Sequence, residues 1–175
     1  MNKGVIIQGS SRSIGDTNKV VLKLKELSGF DVVDLNQMNI GHFDYEFKNR
    51  DDDFINLFKN IVTNYETIVF VTPIYWYSMS GLMKVFFDRI SDFLNLEKDY
   101  GRLLRGMQMA SISASNDSRF YEGFEMPFIN SADYLGMTYL GHLHTWVIDN
   151  TLPQEVVSNI DSFVKKSFLE KKVSS

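Results

Sequence analysis

Short apolar runs alternate with longer stretches of helical period from one end of the chain to the other. Residues 5–8 read as a buried strand, and Val20, Leu24 and Leu27 then share one helical face that Gly29 closes. A second strand is expected at 31–35. Asp51, Asp52 and Asp53 put negative charge where the next helix begins, and Phe54, Leu57, Phe58, Ile61, Val62 and Tyr65 form its apolar stripe. Residues 67–72 are apolar and rich in β-branched side chains, the signature of a strand covered on both faces. A helix follows from Gly81 to about Leu94, with Met83, Phe86, Phe87 and Ile90 on one side. The fourth strand is expected at 107–113 and a helix from near Phe124 to Leu135, with Pro127 in its first turn. The fifth strand lies within 138–148. Pro153 opens the last helix, whose Val156, Ile160, Phe163 and Val164 turn inward.

Five strand–helix units in series predict an α/β fold: a five-stranded parallel sheet with helices on both faces, a three-layer sandwich. The natural strand order for five such units is the flavodoxin-like 2-1-3-4-5, with the ligand at the carboxyl ends of the strands, between the first and third. The 175 residues fit one domain, expected over 1–170, with a frayed tail at 171–175. The one long irregular segment is 36–50, which carries His42, Phe43, Tyr45 and Phe47; a loop that long is usually functional or an interface.

Composition narrows the function by exclusion. A net charge of −4 favours neither nucleic acid nor an anionic membrane, and no apolar run is long enough to span a bilayer. The start leads straight into a strand, without a signal peptide, so the cytoplasm is the expected location. With no cysteine there is no disulfide, thiol nucleophile or cysteine-held iron–sulfur cluster. Of the three histidines, His142 and His144 alternate on one face of an extended segment, but no third ligand stands at metal spacing; they read as structural or solvent-facing.

Two loops carry the candidate chemistry. Gly9-Ser10-Ser11-Arg12-Ser13-Ile14-Gly15-Asp16-Thr17-Asn18 joins the first strand to the first helix. Free amides at a helix start, several hydroxyls and one arginine suit a phosphate; the plainer alternative is a polar turn with Thr17 as N-cap. The third strand ends in Pro73-Ile74-Tyr75-Trp76-Tyr77. Three successive aromatics cannot all face the core, and at the ligand edge they make a flat wall for a planar ring. The competing use of such residues is a dimer contact. Phosphate at one loop and a ring at the next suggest flavin mononucleotide (FMN).

The two loops resemble those of the flavodoxin-like NAD(P)H-dependent FMN reductase and quinone reductase family. Its first motif, roughly Gly-Ser-x-Arg-x-x-Gly-Asn-Thr, is matched from Gly9 to Thr17 with Asp16 in place of Asn. Its second, Pro-Ile-Tyr-Trp-x-x-x-Ser-Gly-x-Met-Lys-x-Phe-x-Asp-Arg, is matched at every specified position from Pro73 to Arg89. The resemblance implies a phosphate site at Ser10, Arg12, Gly15, Asp16, Thr17 and Asn18, a ring site at Pro73, Ile74, Tyr75 and Trp76, and a third flavin loop at Ser113, Ala114 and Ser115. A carboxylate at Asp16 would cost phosphate affinity unless it points away. No side chain is expected to be catalytic, because the flavin carries the chemistry. The implied activity is ping-pong hydride transfer from NADPH or NADH through bound FMN to a small planar acceptor such as a quinone, flavin, nitro or azo compound. The alternative is a flavodoxin-type electron carrier with no substrate of its own, against which Arg12 and the modest charge count. A homodimer or higher homo-oligomer is expected, through 36–50 and the helix from Gly81. In that helix Lys84 should pair with Asp88, while Asp88 and Arg89 point a quarter-turn apart and serve as separate anchors.

Overall fold

Where both faces of a strand are apolar, the strand lies in the middle of the sheet. β1 (Gly4–Gln8) and β3 (Thr67–Pro73) are buried along their whole length, as is most of β4 (Gln108–Ser115). β2 (Asp31–Asp34) and β5 (Thr138–Trp146) are partly exposed and form the edges. This computed structural model describes residues 3–169, so the tail expected at 171–175 lies outside the described residues. All neighbouring strands run parallel in the order β2-β1-β3-β4-β5.

α1 (Asp16–Ser28) and α6 (Gln154–Val164) cover one face of the sheet. Val20, Val21 and Leu24 meet Val156, Ile160 and Val164 over the outward side of β3 and β4. α2 (Asp53–Asn64), α3 (Gly81–Leu96) and α5 (Met126–Leu135) cover the other, and a short α4 (Lys98–Gly101) follows α3. That second core is built on phenylalanine: Phe54, Phe58, Phe70, Phe86, Phe93 and Phe128 are all buried and pack ring against ring. Among the described residues, no helix is long and apolar enough to cross a membrane.

Three boundaries differ from the sequence reading in ways that matter for the site. α1 begins at Asp16 with Gly15 as N-cap, so Thr17 is a buried first-turn residue and not the cap. β4 continues through Ser115, which puts Ser113 inside the sheet rather than in a loop. α5 starts only at Met126, leaving 116–125 as a connection over the edge of the sheet. β5 also carries a bulge. Tyr139 pairs with Met109 and His142 with Ser111, so three steps on β5 oppose two on β4. Gly141, at φ 113°, lies within the extra step, in backbone that side-chain-bearing residues rarely adopt.

Candidate functional site

The carboxyl ends of β1, β3 and β4 open on a cleft of about 290 Å3 lined by three loops. Ser10, Arg12, Asp16 and Thr17 come from the first. Pro73, Ile74 and Tyr75 come from the second, and Ala114, Ser115 and Asn116 from the third. The loops are tied to each other. The Ser80 hydroxyl donates to the Gly9 carbonyl and accepts from the Met83 amide, so one side chain caps α3 and holds the first loop. A Cβ on Gly9 would come within 2.7 Å of the Met83 side chain, so only glycine allows that approach. The Ile74 amide donates to the Ala114 carbonyl at 3.0 Å, joining the second loop to the third.

The first loop is arranged for an anion. Gly15 offers no side-chain cap to α1, which leaves the first-turn amides without a side-chain acceptor. The Arg12 side chain lies over Gly15, and its guanidinium has no ion-pair partner among the described residues. The Asp16 carboxylate is drawn aside by Lys19 at 2.8 Å, and Lys19 also reaches Asn150. The residue that departs from the family motif is thus neutralised in place. Asn18 turns its amide to Gln8 at 3.0 Å. The donor set therefore fits a phosphate, with backbone amides and Arg12 supplying the charge.

The second loop displays its aromatics on a tight hairpin. Tyr75 and Ser78 exchange both backbone hydrogen bonds, which leaves Trp76 and Tyr77 at the two central positions with φ of 49° and 66°. Both angles positive is the primed turn that Asn-Gly normally fills; here it carries two large aromatic residues, with Trp76 93% exposed. The Tyr77 ring meets Tyr121 edge-on at 5.1 Å, and the Arg119 guanidinium sits over Tyr121. Tyr75 lines the cleft itself and its hydroxyl lies 3.4 Å from that of Ser11.

The third loop separates the roles of its residues. Ala114, Ser115 and Asn116 face the cleft, whereas the Ser113 side chain is fully buried and sits between His142 and His144. His142 is pushed down to about 4, by burial first and then by the neighbouring His144. Sequence reasoning passed over this arrangement, because without the β5 bulge a period-two pattern sets Tyr139 and His142 on opposite faces.

The long segment before α2 is anchored by Arg89. Its guanidinium is fully buried, pairs with Asp52 and Asp92 at 2.5 and 2.6 Å, and donates to the carbonyls of Gly41 and Asn49. Burial works to raise the Asp52 carboxyl, but Arg89 and the amides of Phe54 and Gly41 outweigh it and hold the group below its usual range. Asp88 pairs instead with Lys84, as the helical spacing predicts. Among the described residues no group of three or more potential metal ligands comes together.

A family model described as NADPH-dependent FMN reductase matches residues 2–151. YwqN of Bacillus subtilis, a candidate NAD(P)H-dependent FMN-containing oxidoreductase, is 28% identical over 153 residues, or 81% of this chain and 83% of that protein. Among solved structures, the Trp repressor binding protein of Bacillus subtilis superposes with a TM-score of 0.70 at 22% identity, over 98% of this chain and 100% of that one. An NADPH-quinone reductase from P. pentosaceus superposes with a TM-score of 0.67 at 16% identity, covering 99% and 100%.

Proposed function

The chain belongs to the NADPH-dependent FMN reductase family, and on that premise we propose that its three-loop cleft holds FMN and passes a hydride from NADPH or NADH to a small planar acceptor by ping-pong exchange. The observation that carries this reading is the first loop, a helix start without a side-chain cap beside an arginine with no ion-pair partner among the described residues, set opposite Pro73, Ile74 and Tyr75.

In this reading the amides at Asp16 and Thr17, with the Ser10 hydroxyl and Arg12, hold the phosphate. Arg12 lies over Gly15 at the helix start, and Asn18 braces the loop through Gln8. Pro73, Ile74 and Tyr75 border the ring, and Trp76 stands at the outer lip. Bound flavin supplies the two-electron chemistry by accepting a hydride from a nicotinamide and yielding it to the next occupant of the same slot. The chain keeps one face of that slot open, and the third-loop amides offer hydrogen bonds where negative charge develops. The acceptor in this reading is a small planar compound of the quinone, flavin, nitro or azo class. The active form is a homodimer in the same reading, with 36–50 and α3 at its interface.

An absorbance spectrum of the purified protein, followed by anaerobic mixing with NADPH and with NADH, tests the proposal. The expected result is a flavin band that bleaches promptly with a nicotinamide. A flavin band that bleaches only with a chemical reductant would make the protein an electron carrier. No flavin band retained by the protein after incubation with FMN and removal of the excess by gel filtration would remove the flavin.

A further inference from the structure

Behind the third loop lies a chain of hydroxyls and imidazoles that the flavin reading leaves unused. The Tyr139 hydroxyl is 2.7 Å from Ser111 Oγ, and Ser111 Oγ is 2.8 Å from His142 Nδ1. His142 Nε2 is 2.9 Å from Ser113 Oγ, which is 2.8 Å from His144 Nδ1. His144 Nε2 ends the series 3.1 Å from the Asp117 carbonyl and 3.5 Å from Ser115 Oγ, a cleft-lining hydroxyl that donates to the same carbonyl at 2.6 Å. Ser111 and Ser113 are fully buried, and the rings of Phe120 and Phe124 lie against His142. Glu125 faces the Tyr139 hydroxyl at the other end, from a partly exposed position.

The direction of every hydrogen follows from the last acceptor. A carbonyl only accepts, so His144 Nε2 carries the hydrogen and its Nδ1 accepts from the Ser113 O–H. Ser113 has then spent its one hydrogen and must accept from His142 Nε2–H. His142 Nδ1 accepts in turn from the Ser111 O–H, and Ser111 accepts from Tyr139. All five groups therefore donate in one direction, from Tyr139 toward His144 and the Asp117 carbonyl beside Ser115. None is an amide, a carboxylate or a fixed cation; each both donates and accepts, which is what passing a proton requires and what bracing alone does not.

We propose that Tyr139, Ser111, His142, Ser113 and His144 form a proton relay that feeds the cleft at Ser115. The proposal rests on the flavin-reductase reading, because that reaction needs a proton. NADPH, one proton and a quinone give NADP+ and a hydroquinone: the dihydronicotinamide loses two electrons and a hydrogen as hydride, and the second oxygen of the acceptor takes its hydrogen from the medium. The relay supplies it as one proton in and one out. His144 yields its Nε2 proton to Ser115 Oγ as the Ser115 hydrogen leaves the Asp117 carbonyl for the acceptor in the cleft, and its Nδ1 takes the Ser113 proton. Ser113 takes the Nε2 proton of His142, whose Nδ1 takes the Ser111 proton. Ser111 takes the Tyr139 proton, and Tyr139 is refilled beside Glu125. Burial raises the Tyr139 hydroxyl, with Glu125 adding to the rise, and burial lowers His142, so both enter the chain uncharged near neutral pH.

Two measurements test the relay. In the protein without flavin, nitrogen NMR of labelled imidazoles at pH 7.5 should show both His142 and His144 as Nε2–H tautomers; an Nδ1–H tautomer on either breaks the donor order and overturns the proposal. In FMN-loaded protein pre-reduced with NADPH, mixing with 1,4-benzoquinone in weak buffer with a pH indicator should show proton uptake slowed fivefold or more by Ser111→Ala. That site is removed from the cleft, so FMN affinity should be unchanged. The solvent deuterium isotope effect on uptake should fall in the same variant, which a merely structural serine would not cause. Normal FMN binding with unaltered uptake sinks the relay alone, whereas failure to bind FMN sinks the flavin reading and takes the relay with it. Should Ser111→Ala not fold, the wild-type tautomers still decide.

Discussion

At the scale of single residues, Arg12 and His142 show two ways in which burial and charge are used. Arg12 is a cation without an ion-pair partner among the described residues, placed over the start of α1. A charge-assisted hydrogen bond is worth about 1.5–3 kcal/mol, so Arg12→Ala should weaken FMN by about one to two decades in a fluorescence titration. Unchanged affinity would take Arg12 out of the site. His142 is held down to about 4 against an ordinary 6.5. A group whose folded pKa is depressed contributes stability that is present above 6.5 and lost as pH falls toward 4. The shift bounds that contribution at about 3 kcal/mol. Urea midpoints should therefore fall across this window in the wild type, and His142→Gln should flatten the fall; the same slope in both would show that other groups dominate. The arginine was legible in the sequence because it stands in a motif. The state of the histidine was not, because it depends on serines some thirty residues away.

At the scale of elements, the strand-to-loop junctions decide what the cleft can hold. Apolar runs and helical stripes located every strand and long helix, because those patterns follow from one-face or two-face burial. Ends were harder to place. Nothing in Gly15-Asp16-Thr17 announces that the glycine rather than the threonine precedes the helix, yet that choice leaves the first-turn amides free. The hairpin at Tyr75–Ser78 was read as an aromatic wall without its turn geometry, since Trp-Tyr is not a sequence that signals a primed turn. Positive φ at two non-glycine residues costs about 1–3 kcal/mol each. Replacing Trp76-Tyr77 with Asn-Gly should raise stability by about 1–2 kcal/mol in urea unfolding while weakening FMN and removing the Trp76 contribution to fluorescence quenching. A gain in stability with full FMN affinity would mean that the turn serves something other than the flavin.

At the scale of the whole molecule, part of the exposed apolar surface lies on the side of α3 and α5, at Leu96, Met126, Ile129 and Tyr134. A groove of about 410 Å3 runs between these helices, bordered by Phe87, Leu94, Met126 and Tyr134. Tyr134 is 81% exposed, and Tyr45 in the loop held by Arg89 is 89% exposed. Surface of this kind marks association, and sedimentation velocity at micromolar concentration should show a dimer; a monomer at every concentration would refute it. The fold as a whole was legible because five repeated units leave few topologies open, whereas the way its edge strand divides its side chains between the two helical layers was not. Gly141 governs that division. With it in place, Tyr139, His142 and His144 face the layer of α2, α3 and α5, while Leu140 and Leu143 pack toward α1 and α6. Strand side chains alternate strictly, so losing that single residue from the chain would exchange the two sets beyond the bulge. Both imidazoles would be driven among the aliphatic residues of α6, and Leu143 would take the place between the phenylalanines. Substitution at this position would leave the count intact. A one-codon deletion there would therefore turn the strand inside out while leaving every other residue of β5 as it is.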